Sequence, residues 1–275
     1  MTLAEYQKKI IQLLLPHSDS ARRDVELLLM HVLTKNRAQL FLDANENITS
    51  AQENQLQTLI KRRCNGEPIA YLLGTQPFWK MNLIVSRDTL IPRPETECVV
   101  EWIVHHFKNK KGLRVADLGT GSGAIAIALA IENPHWQIDA TDLSPEALAI
   151  AKKNADQHHI KNIAFYSGDW CHALPEKTYD LIVSNPPYIA ENDVHLKQLS
   201  FEPQQALVAG KKGLEAIEHI TKQAKLFLKP SGSLVIEHGF DQVDAVNQIF
   251  KTAGFQHIQN HRDLSDTPRF VTGSI

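Results

Sequence analysis

The amino-acid sequence predicts an α/β protein built around a mostly parallel, seven-stranded sheet whose last two strands form an antiparallel pair. Three observations predict this fold class. The first 75 residues show helical periodicity, a short aromatic and β-branched segment follows, and strand-like and helix-like segments alternate from residue 113 onward. Such alternation is typical of parallel strands joined by helices that cover both faces of a sheet. We therefore expect a small N-terminal helical bundle, a β-hairpin connector and a large α/β domain.

Residues 1–75 are expected to form the helical bundle. Ser20 can cap a first helix whose apolar residues recur at helical spacing. Ser50 and Glu53 match a capping box at the start of a second helix, which should end near Pro68. The segment carries nine basic and eight acidic residues, so it is not a basic arm. It would either contact a partner or only pack on the main domain.

Residues 76–92 differ in character from the bundle. Aromatic and β-branched residues surround Ser86-Arg87-Asp88, which indicates a β-hairpin or another short connector. A helix is then expected after Pro94. The remaining residues, 93–275, would form the α/β domain.

Seven segments of the α/β domain have the apolar and β-branched character of strands. They are residues 114–118, 136–141, 163–167, 180–184, 233–238, 255–260 and 269–273. Four further segments have helical periodicity, at residues 123–131, 145–158, 213–228 and 241–252. Because no helix separates the last two strands, one of them should run antiparallel to the rest.

Composition and charge argue against several kinds of protein. The net charge is −2, whereas a protein that grips bare phosphates shows a basic excess, so stable nucleic-acid binding is not expected. The three cysteines form no CxxC pair, which predicts neither a disulfide framework nor a metal site. No apolar stretch approaches the roughly 18 residues of a membrane span, and the N-terminal apolar run is too interrupted for a signal peptide. We therefore expect a cytoplasmic protein without membrane contact.

A glycine-rich loop follows the first strand of the α/β domain. Gly119, Gly121 and Ala124 satisfy the G-x-G-x-x-G/A pattern, and an alanine-rich helix begins after Gly123. Glycines let the backbone turn tightly and approach a ligand closely, while the helix N-terminus offers free N–H groups. The pattern therefore indicates a nucleotide-like ligand, although a tight turn without a ligand has the same sequence.

Acidic residues follow the next two strands. Asp142 comes 23 residues after Gly119, where a carboxylate can accept both hydroxyls of a ribose. Ser144 and Pro145 then form a typical helix start. Asp169 and Trp170 close the third strand, and an acid beside a flat ring suits an adenine, although Trp170 could instead be a core residue. NAD and S-adenosylmethionine both fit these features.

The fourth strand ends at Asn185-Pro186-Pro187-Tyr188, because prolines cannot continue a central strand. This strand should lie beside the first, at the switch point where open α/β sheets bind ligands. The Asn185 side-chain oxygen and the Pro186 carbonyl are two fixed acceptors that match an –NH2 group, and Tyr188 could lie over the flat group bearing it. Such a clamp can aim a weakly nucleophilic planar nitrogen at a methyl group on a sulfonium sulfur. A hydride-transfer enzyme has no use for it, so S-adenosylmethionine is favoured over NAD.

With these motifs the chain resembles class I S-adenosylmethionine-dependent methyltransferases that carry NPPY. It resembles more closely the bacterial peptide chain release factor glutamine methyltransferases, the HemK/PrmC family, over essentially its whole length. NPPY is shared with enzymes that methylate amino groups of DNA and RNA, whereas LIPRPETE at 90–97 and the helical N-terminus are more specific. The other matching segments are RRDVELLL, RRCNGEPIAYLLG, DLGTGSGAIAIALA, FEPQQAL and IEHG.

The resemblance implies a Rossmann-like class I methyltransferase sheet and a definite reaction. The substrate would be the glutamine side chain in the GGQ loop of class I release factors, methylated on its amide nitrogen. S-adenosyl-L-methionine would be the methyl donor and S-adenosyl-L-homocysteine the product. The N-terminal bundle would contact the release factor.

The resemblance also assigns roles to individual residues. Cofactor contacts are implied for Gly119, Thr120, Gly121, Ser122, Gly123, Asp142, Trp170 and Asn185. The glutamine would be held by Asn185, Pro186, Pro187 and Tyr188, of which Asn185, Pro186 and Tyr188 would be catalytic. Arg93, Glu95 and Glu97 would line the site from the connector, or would only pin the linker. Glu202 would shape the substrate mouth, or would only cap the insertion between residues 189 and 212.

Three rival functions each fit part of the sequence. An adenine amino-methyltransferase would flip its base into the same clamp, but the chain has no large target-recognition segment and no basic excess. A nicotinamide-dependent oxidoreductase is supported only by the glycine pattern. A catalytically idle binding module is disfavoured by the complete clamp.

Overall fold

The computed structural model describes residues 1–176 and 178–275 of the 275-residue chain. The contacts between Cα atoms divide these residues into two compact units, Met1–Thr75 and Gln76–Ile275. Within the described residues, no helix has both the length and the apolar character needed to cross a membrane.

The first unit consists of helices packed around their own core. The helices are α1 (Leu3–Leu14), α2 (Ala21–Leu33), α3 (Arg37–Leu42), α4 (Ser50–Cys64) and α5 (Ile69–Leu73). Leu14, Leu29 and Leu56 are fully buried at the centre of this core. The apolar residues of α2 that recur at helical spacing therefore point inward, as expected for an amphipathic helix.

One predicted helix cap of this unit is wrong, and another holds the predicted position without the side-chain hydrogen bond. The capping box of α4 is formed by Thr49 and Gln52, one residue before the predicted pair Ser50 and Glu53. Thr49 has the extended backbone that a capping residue requires, whereas Ser50 is already helical.

Ser20 stands at the N-cap position of α2, but its hydroxyl caps no backbone N–H. It donates instead to Asp24 at 2.8 Å. Asp24 is buried and also accepts hydrogen bonds from Ser18 and Arg63. A buried carboxylate needs several donors, and this need decides where the Ser20 hydroxyl points.

The second unit begins with a short hairpin. Strands β1 (Thr75–Phe78) and β2 (Met81–Ile84) form a two-stranded sheet, and Trp79 at the turn has a φ of 53°. The turn therefore lies before Ser86-Arg87-Asp88, the segment around which the sequence indicated a hairpin or connector. A single 3₁₀ turn, Pro94–Thr96, then leads into α6 (Glu97–His106).

Seven strands form the main sheet of this unit. They are β3 (Arg114–Leu118), β4 (Gln137–Asp142), β5 (Ile163–Ser167), β6 (Tyr179–Ser184), β7 (Leu228–Glu237), β8 (Gln256–Arg262) and β9 (Pro268–Ser274). Their spatial order is β5-β4-β3-β6-β7-β9-β8, with β9 antiparallel to both of its neighbours and the other pairs parallel. The predicted fold class is confirmed.

Four helices accompany these strands, α7 (Ala124–Glu132), α8 (Pro145–Gln157), α9 (Glu215–Phe227) and α10 (Val243–Ala253). Helix α7 is apolar on every side, and its residues from Ala124 to Ala130 are all buried. A helix without a polar face must be covered all round, which explains the run AIAIALA in the sequence.

The strand order places the switch point between β3 and β6. From β3 the chain moves outward to β4 and β5 on one side, and later returns to add β6 on the other. Leu118 at the end of β3 pairs with Thr141 of β4 and with Ser184 of β6. The segments that follow these three strands therefore emerge side by side, where open α/β sheets bind ligands.

Candidate active site

The glycine loop after β3 is fixed from behind by backbone hydrogen bonds. The N–H groups of Gly119 and Thr120 both donate to the Thr141 carbonyl, at 2.8 and 2.9 Å. The Thr120 hydroxyl donates to Asp117 at 2.6 Å, and the Ser122 carbonyl accepts from Asn154 at 2.9 Å. The loop thus has its shape before any ligand arrives.

Gly119 and Gly121 of this loop both have a backbone conformation that favours glycine. Gly119 has a φ of 70°, and a Cβ there would lie 2.8 Å from the Trp170 ring. Gly121 has a φ of 57°, but a Cβ there would meet nothing within 4 Å. The backbone at Gly121 therefore faces open space, as expected where a ligand approaches a glycine loop closely.

Asp142 ties the loop to the end of β4. One carboxylate oxygen accepts from the Gly121 N–H at 2.8 Å, and the other from the Ser144 N–H at 2.9 Å. Burial raises the pKa of Asp142, although these backbone hydrogen bonds oppose the rise. Each oxygen retains a lone pair, so the carboxylate can still accept hydroxyl groups from a ribose.

Trp170 lines the cleft beside Gly119. It is half-buried and has a φ of 44°, an uncommon value for a bulky residue. Its ring both lines the cleft and packs against the apolar core under β6 and β7. The position of Trp170 is therefore compatible with both predicted roles, a ligand contact and a core residue.

Asp169 lies exposed beside this ring. Although burial raises its pKa, hydrogen bonds from His219 and Gln223 hold the pKa of Asp169 below its usual range. The Gln223 amide nitrogen is 3.3 Å from Asp169, 3.0 Å from His172 and 2.6 Å from His219. By residue type, Asp169, His172 and His219 could hold a metal ion, but they surround the Gln223 amide nitrogen, whose two hydrogens can bond to two of them at a time.

Together these elements enclose a cleft of about 740 Å³, part of it open to solvent. A cleft of this size, with a few fixed polar groups, is typical of a small-molecule site. Of the residues predicted to bind a cofactor, Gly119, Gly121, Asp142, Trp170 and Asn185 line the cleft. Thr120 and Ser122 are buried and do not line it, and neither does Gly123.

Sequence reasoning missed several parts of the cleft wall, among them residues of the connector and Leu143. Asp88, Thr89 and Leu90 reach it from the connector, although their spacing from the glycine loop gives no sign of this. Leu143 also lines it and is 66% exposed. The sequence did contain a signal for Leu143, because it lies between Asp142 and the helix cap Ser144. A leucine at such a position cannot pack into the core, and its side chain suits contact with a flat ligand.

A second, smaller cavity of about 380 Å³ adjoins the cleft. Arg93, Pro186, Tyr188 and Leu207 are among its lining residues. Asn185 lines both cavities, so its side chain lies where they meet. Pro187 lines only the larger cleft. A donor molecule in the cleft and an acceptor group in the smaller cavity could therefore meet beside Asn185.

The predicted acid–base residues of the connector have separate positions. Arg93 lines the smaller cavity and forms an ion pair with Glu202 at 2.5 Å. Glu202 is only 5% exposed and also accepts from the Ile91 N–H at 3.0 Å. The pair therefore fastens the connector to the insertion between residues 189 and 212.

Glu97 and Glu95 line neither cavity. Glu97 accepts from the Trp79 N–H at 2.8 Å and so holds the turn of the hairpin. Glu95 is exposed, and its backbone carbonyl accepts from the Cys98 thiol.

The residue of this motif that contacts the clamp is Thr96. The Asn185 amide nitrogen donates to the Thr96 hydroxyl at 3.1 Å, and that hydroxyl donates to Glu237 at 2.8 Å. Thr96 and Glu237 are both buried. Neither was among the predicted site residues, although both belong to segments that carried the resemblance, LIPRPETE and IEHG.

Two known protein families match this chain, one in its N-terminal part and one in the α/β domain. The description "Methyltransferase small domain" matches residues 97–202, and "PrmC N-terminal domain" matches residues 5–74. A solved methyltransferase from Pyrococcus furiosus shares the fold, with a TM-score of 0.55 at 16% identity, over 82% of this chain and 98% of its own.

Curated relatives are similar over nearly the whole chain. The release factor glutamine methyltransferase of Coxiella burnetii is 49% identical over 98% of both chains. The protein of the same description from Escherichia coli K12 is 45% identical over 93% of both chains. Similarity of this extent shows that the chain belongs to the release factor glutamine methyltransferase family.

Proposed function

We propose that this protein transfers a methyl group from S-adenosyl-L-methionine to the side-chain amide nitrogen of the glutamine in the GGQ loop of class I peptide chain release factors. One observation carries the proposal: Asn185 lies where the larger cleft and the smaller cavity meet. A side chain in that position can hold an acceptor amide against a methyl donor. The full-length similarity to release factor glutamine methyltransferases selects the amide among the possible acceptors.

The larger cleft suits the methyl donor. When bound, S-adenosylmethionine supplies an electrophilic methyl group on a sulfonium sulfur. Asp142 would accept the ribose hydroxyls, and the backbone at Gly119 and Gly121 would follow the ligand closely. Thr120, Ser122 and Gly123 would act by shaping the loop. Trp170 would contact the face of the adenine, as an aromatic ring beside a flat heterocycle commonly does.

The smaller cavity suits the glutamine side chain. The Asn185 side-chain oxygen and the Pro186 carbonyl would accept the two hydrogens of the amide, and Tyr188 and Pro187 would restrict its plane. An amide nitrogen is a weak nucleophile because its lone pair is delocalised. Fixing both hydrogens orients the nitrogen toward the cleft, so the catalytic gain comes from positioning and preorganised dipoles. The nitrogen would gain the methyl group and then lose one proton, while the sulfonium would leave as a neutral thioether.

The wall of this cavity would admit the loop of the protein substrate. Arg93 lines the cavity and is held by the buried Glu202, so its position is defined. We propose that Arg93 and Glu202 shape the mouth of the cavity. Glu97 would contribute only through the hairpin, and Glu95 through the effect of its charge on the buried Glu237.

The N-terminal helical unit, residues 1–75, is proposed to dock the release factor. Its surface carries two large apolar side chains on α3, since Phe41 is 83% exposed and Leu42 is 77% exposed. Exposed apolar groups of this size are typical of surfaces that contact another protein. The connector, residues 76–92, would join this unit to the methyltransferase domain, residues 93–275.

Labelled methyl transfer tests this function directly. Purified class I release factor is incubated with the protein and S-adenosylmethionine labelled in its methyl group. We expect label in the wild-type factor and none in a factor whose GGQ glutamine is replaced by alanine. DNA serves as a second acceptor, and label in DNA alone would reassign the enzyme to the nucleic-acid amino-methyltransferases.

A further inference from the structure

The orientation of the Asn185 amide decides whether the clamp can work. An asparagine side chain carries an acceptor oxygen and a donor nitrogen of nearly equal size, and a half-turn exchanges them. Only the oxygen can accept a hydrogen from a substrate amide. With the nitrogen turned toward the substrate, two N–H groups would oppose each other.

A buried chain of hydrogen bonds, which we call the relay, runs from Asn185 through Thr96 to Glu237 and fixes this orientation. The Thr96 hydroxyl has one proton, which it donates to Glu237 at 2.8 Å. An ionised carboxylate accepts hydrogen bonds but donates none, so the Thr96 proton must point toward it. The oxygen of Thr96 is then available only as an acceptor. It can be satisfied by the nitrogen of Asn185, 3.1 Å away, and not by its oxygen.

The surroundings of Glu237 exclude water from this hydrogen-bond chain and set the pH range in which its polarity holds. Glu237 ends β7 and is 1% exposed, while Thr96 is 3% exposed, so water does not compete for either group. Burial raises the pKa of Glu237 to about 7, while the hydrogen bond from Thr96 and the charge of Arg269 oppose the rise. The polarity therefore holds above this pH, where the carboxyl is ionised. The charge of Glu95 raises the pKa of Glu237, and a hydrogen bond with Tyr188 lowers it. The Glu237 charge in turn raises the pKa of the Cys98 thiol.

Glu237 acts on the aromatic part of the clamp as well. Burial raises the pKa of Tyr188, and the neighbouring Glu237 carboxyl raises it further. In the other direction, a hydrogen bond with Tyr188 favours the ionised form of Glu237. One carboxyl thus interacts with both polar ends of the clamp, with Asn185 through Thr96 and with Tyr188 directly.

We propose that Thr96 and Glu237 are positioning residues, which orient the Asn185 amide so that its oxygen faces the acceptor group. The inference rests on the proposed function for its chemical purpose, but the orientation itself does not depend on which amide is methylated. It adds two residues to the site, neither of which borders the cleft or the smaller cavity. Their effect should therefore appear in turnover and not in cofactor binding.

A spectroscopic test reads the orientation without any substrate. In a ¹⁵N-labelled protein, the Asn185 side-chain amide signals are the pair that disappears in Asn185→Ala. We expect slow hydrogen exchange of this pair in the wild type, and exchange at least about 10-fold faster in Thr96→Val, which keeps the shape of threonine but has no hydroxyl. Thr96→Ser restores the hydroxyl and should restore the protection. Equal exchange in all three proteins would overturn the relay.

Kinetics then separate positioning from mere stability. We expect kcat in Thr96→Val to fall about 10- to 100-fold, with the cofactor Kd within about 2-fold of wild type. Thr96→Ser should retain kcat within about 3-fold. Glu237→Gln offers Thr96 a donor as well as an acceptor, so it should also lower kcat and speed the exchange of the Asn185 amide.

The two assays distinguish the failure of this inference from that of the proposed function. If the wild type does not label release factor but the Asn185 signals respond to Thr96→Val, the proposed substrate is wrong and the relay stands. If Thr96→Val and Glu237→Gln turn over like the wild type on release factor, the positioning role is refuted and the methyltransferase function stands.

Discussion

Asn185 is the residue on which the proposed chemistry depends most. It borders both cavities, and its amide nitrogen is already bonded to Thr96, which leaves its oxygen for a substrate. A polar group that is fixed before the substrate arrives costs no reorganisation during the reaction. Removing it should therefore affect the rate far more than the fold.

Asn185→Ala should lower methyl transfer about 10²- to 10³-fold, the usual cost of losing one preorganised polar group in an active site. The measurement is kcat with labelled S-adenosylmethionine and release factor, beside thermal unfolding to verify the fold. Asn82→Ala is the matched control, since Asn82 is exposed on β2 and its side chain lines neither cavity. Turnover near that of the wild type would contradict the clamp.

Asp142 carries the corresponding prediction for the cofactor. Asp142→Asn keeps an acceptor for one backbone N–H but loses the charge and one acceptor oxygen, so the Kd for S-adenosylmethionine should rise about 10- to 100-fold. Calorimetric titration measures it. Asp156→Asn, an exposed change on α8, is the control. Equal affinity in the two variants would remove Asp142 from the cofactor site.

Residues that carry a local signal were predictable, and residues joined across the chain were not. Recognisable motifs place Gly119, Asp142 and Asn185 at or just after the ends of strands. The predicted strand order was therefore enough to bring these residues to the same edge of the sheet. Thr96 and Glu237 are bonded across 141 positions. A threonine and a glutamate so far apart give no sequence signal of their contact.

At the scale of elements, strands and helices of strong periodicity were predicted to within a few residues. Strand β7 is the clearest difference, since it begins at Leu228 and not at 233. Lys229, Pro230, Ser231 and Gly232 read as a turn, and the pairing of β6 with β7 does shift its register there. Because β7 pairs with β6 on both sides of this irregularity, the strand is longer than the strand propensity of its residues indicates.

The insertion between β6 and α9 depends on Glu202 for its attachment to the connector. Glu202→Ala leaves the Ile91 N–H and the Arg93 guanidinium without their partner, so the free energy of unfolding should fall by about 1–3 kcal/mol. Urea denaturation measures the change. Glu202→Gln keeps an acceptor and should lose less, and if both variants are as stable as the wild type, the attachment has another source.

At the scale of the whole molecule, two buried carboxyl groups make stability depend on pH. Burial raises the pKa of Asp117 to about 7 and that of Glu237 to about 7. Each group binds its proton more tightly in the folded than in the unfolded protein. Its contribution to stability is therefore complete below its unfolded pKa of about 4, and is lost as the pH rises through about 7.

Asp117→Asn isolates one of these groups. The variant keeps an oxygen that can accept from Thr120 and Ala126 but has no charge to bury. Its stability relative to the wild type should improve as the pH rises from 5 to about 8, by on the order of a few kcal/mol at most. Denaturation curves across this range measure the difference. A difference that does not change with pH would contradict the raised pKa of Asp117.

The two compact units allow a test of the proposed division of labour. A chain without residues 1–75 should bind S-adenosylmethionine within about 2-fold of the wild type, because the cleft lies wholly in the second unit. Its kcat/KM on intact release factor should fall at least about 10-fold, the equivalent of about 1.4 kcal/mol of lost docking. Undiminished efficiency on release factor would refute a docking role for the helical unit.

The site of methylation is the most direct test of the central claim, that the clamp at Asn185 presents a glutamine amide to the methyl donor. Release factor treated with the protein and S-adenosylmethionine is digested, and the modified peptide is fragmented in a mass spectrometer. We predict one added methyl group, on the side-chain nitrogen of the GGQ glutamine. A methyl group on any other residue, or none on release factor under conditions in which the cofactor is consumed, would contradict the account.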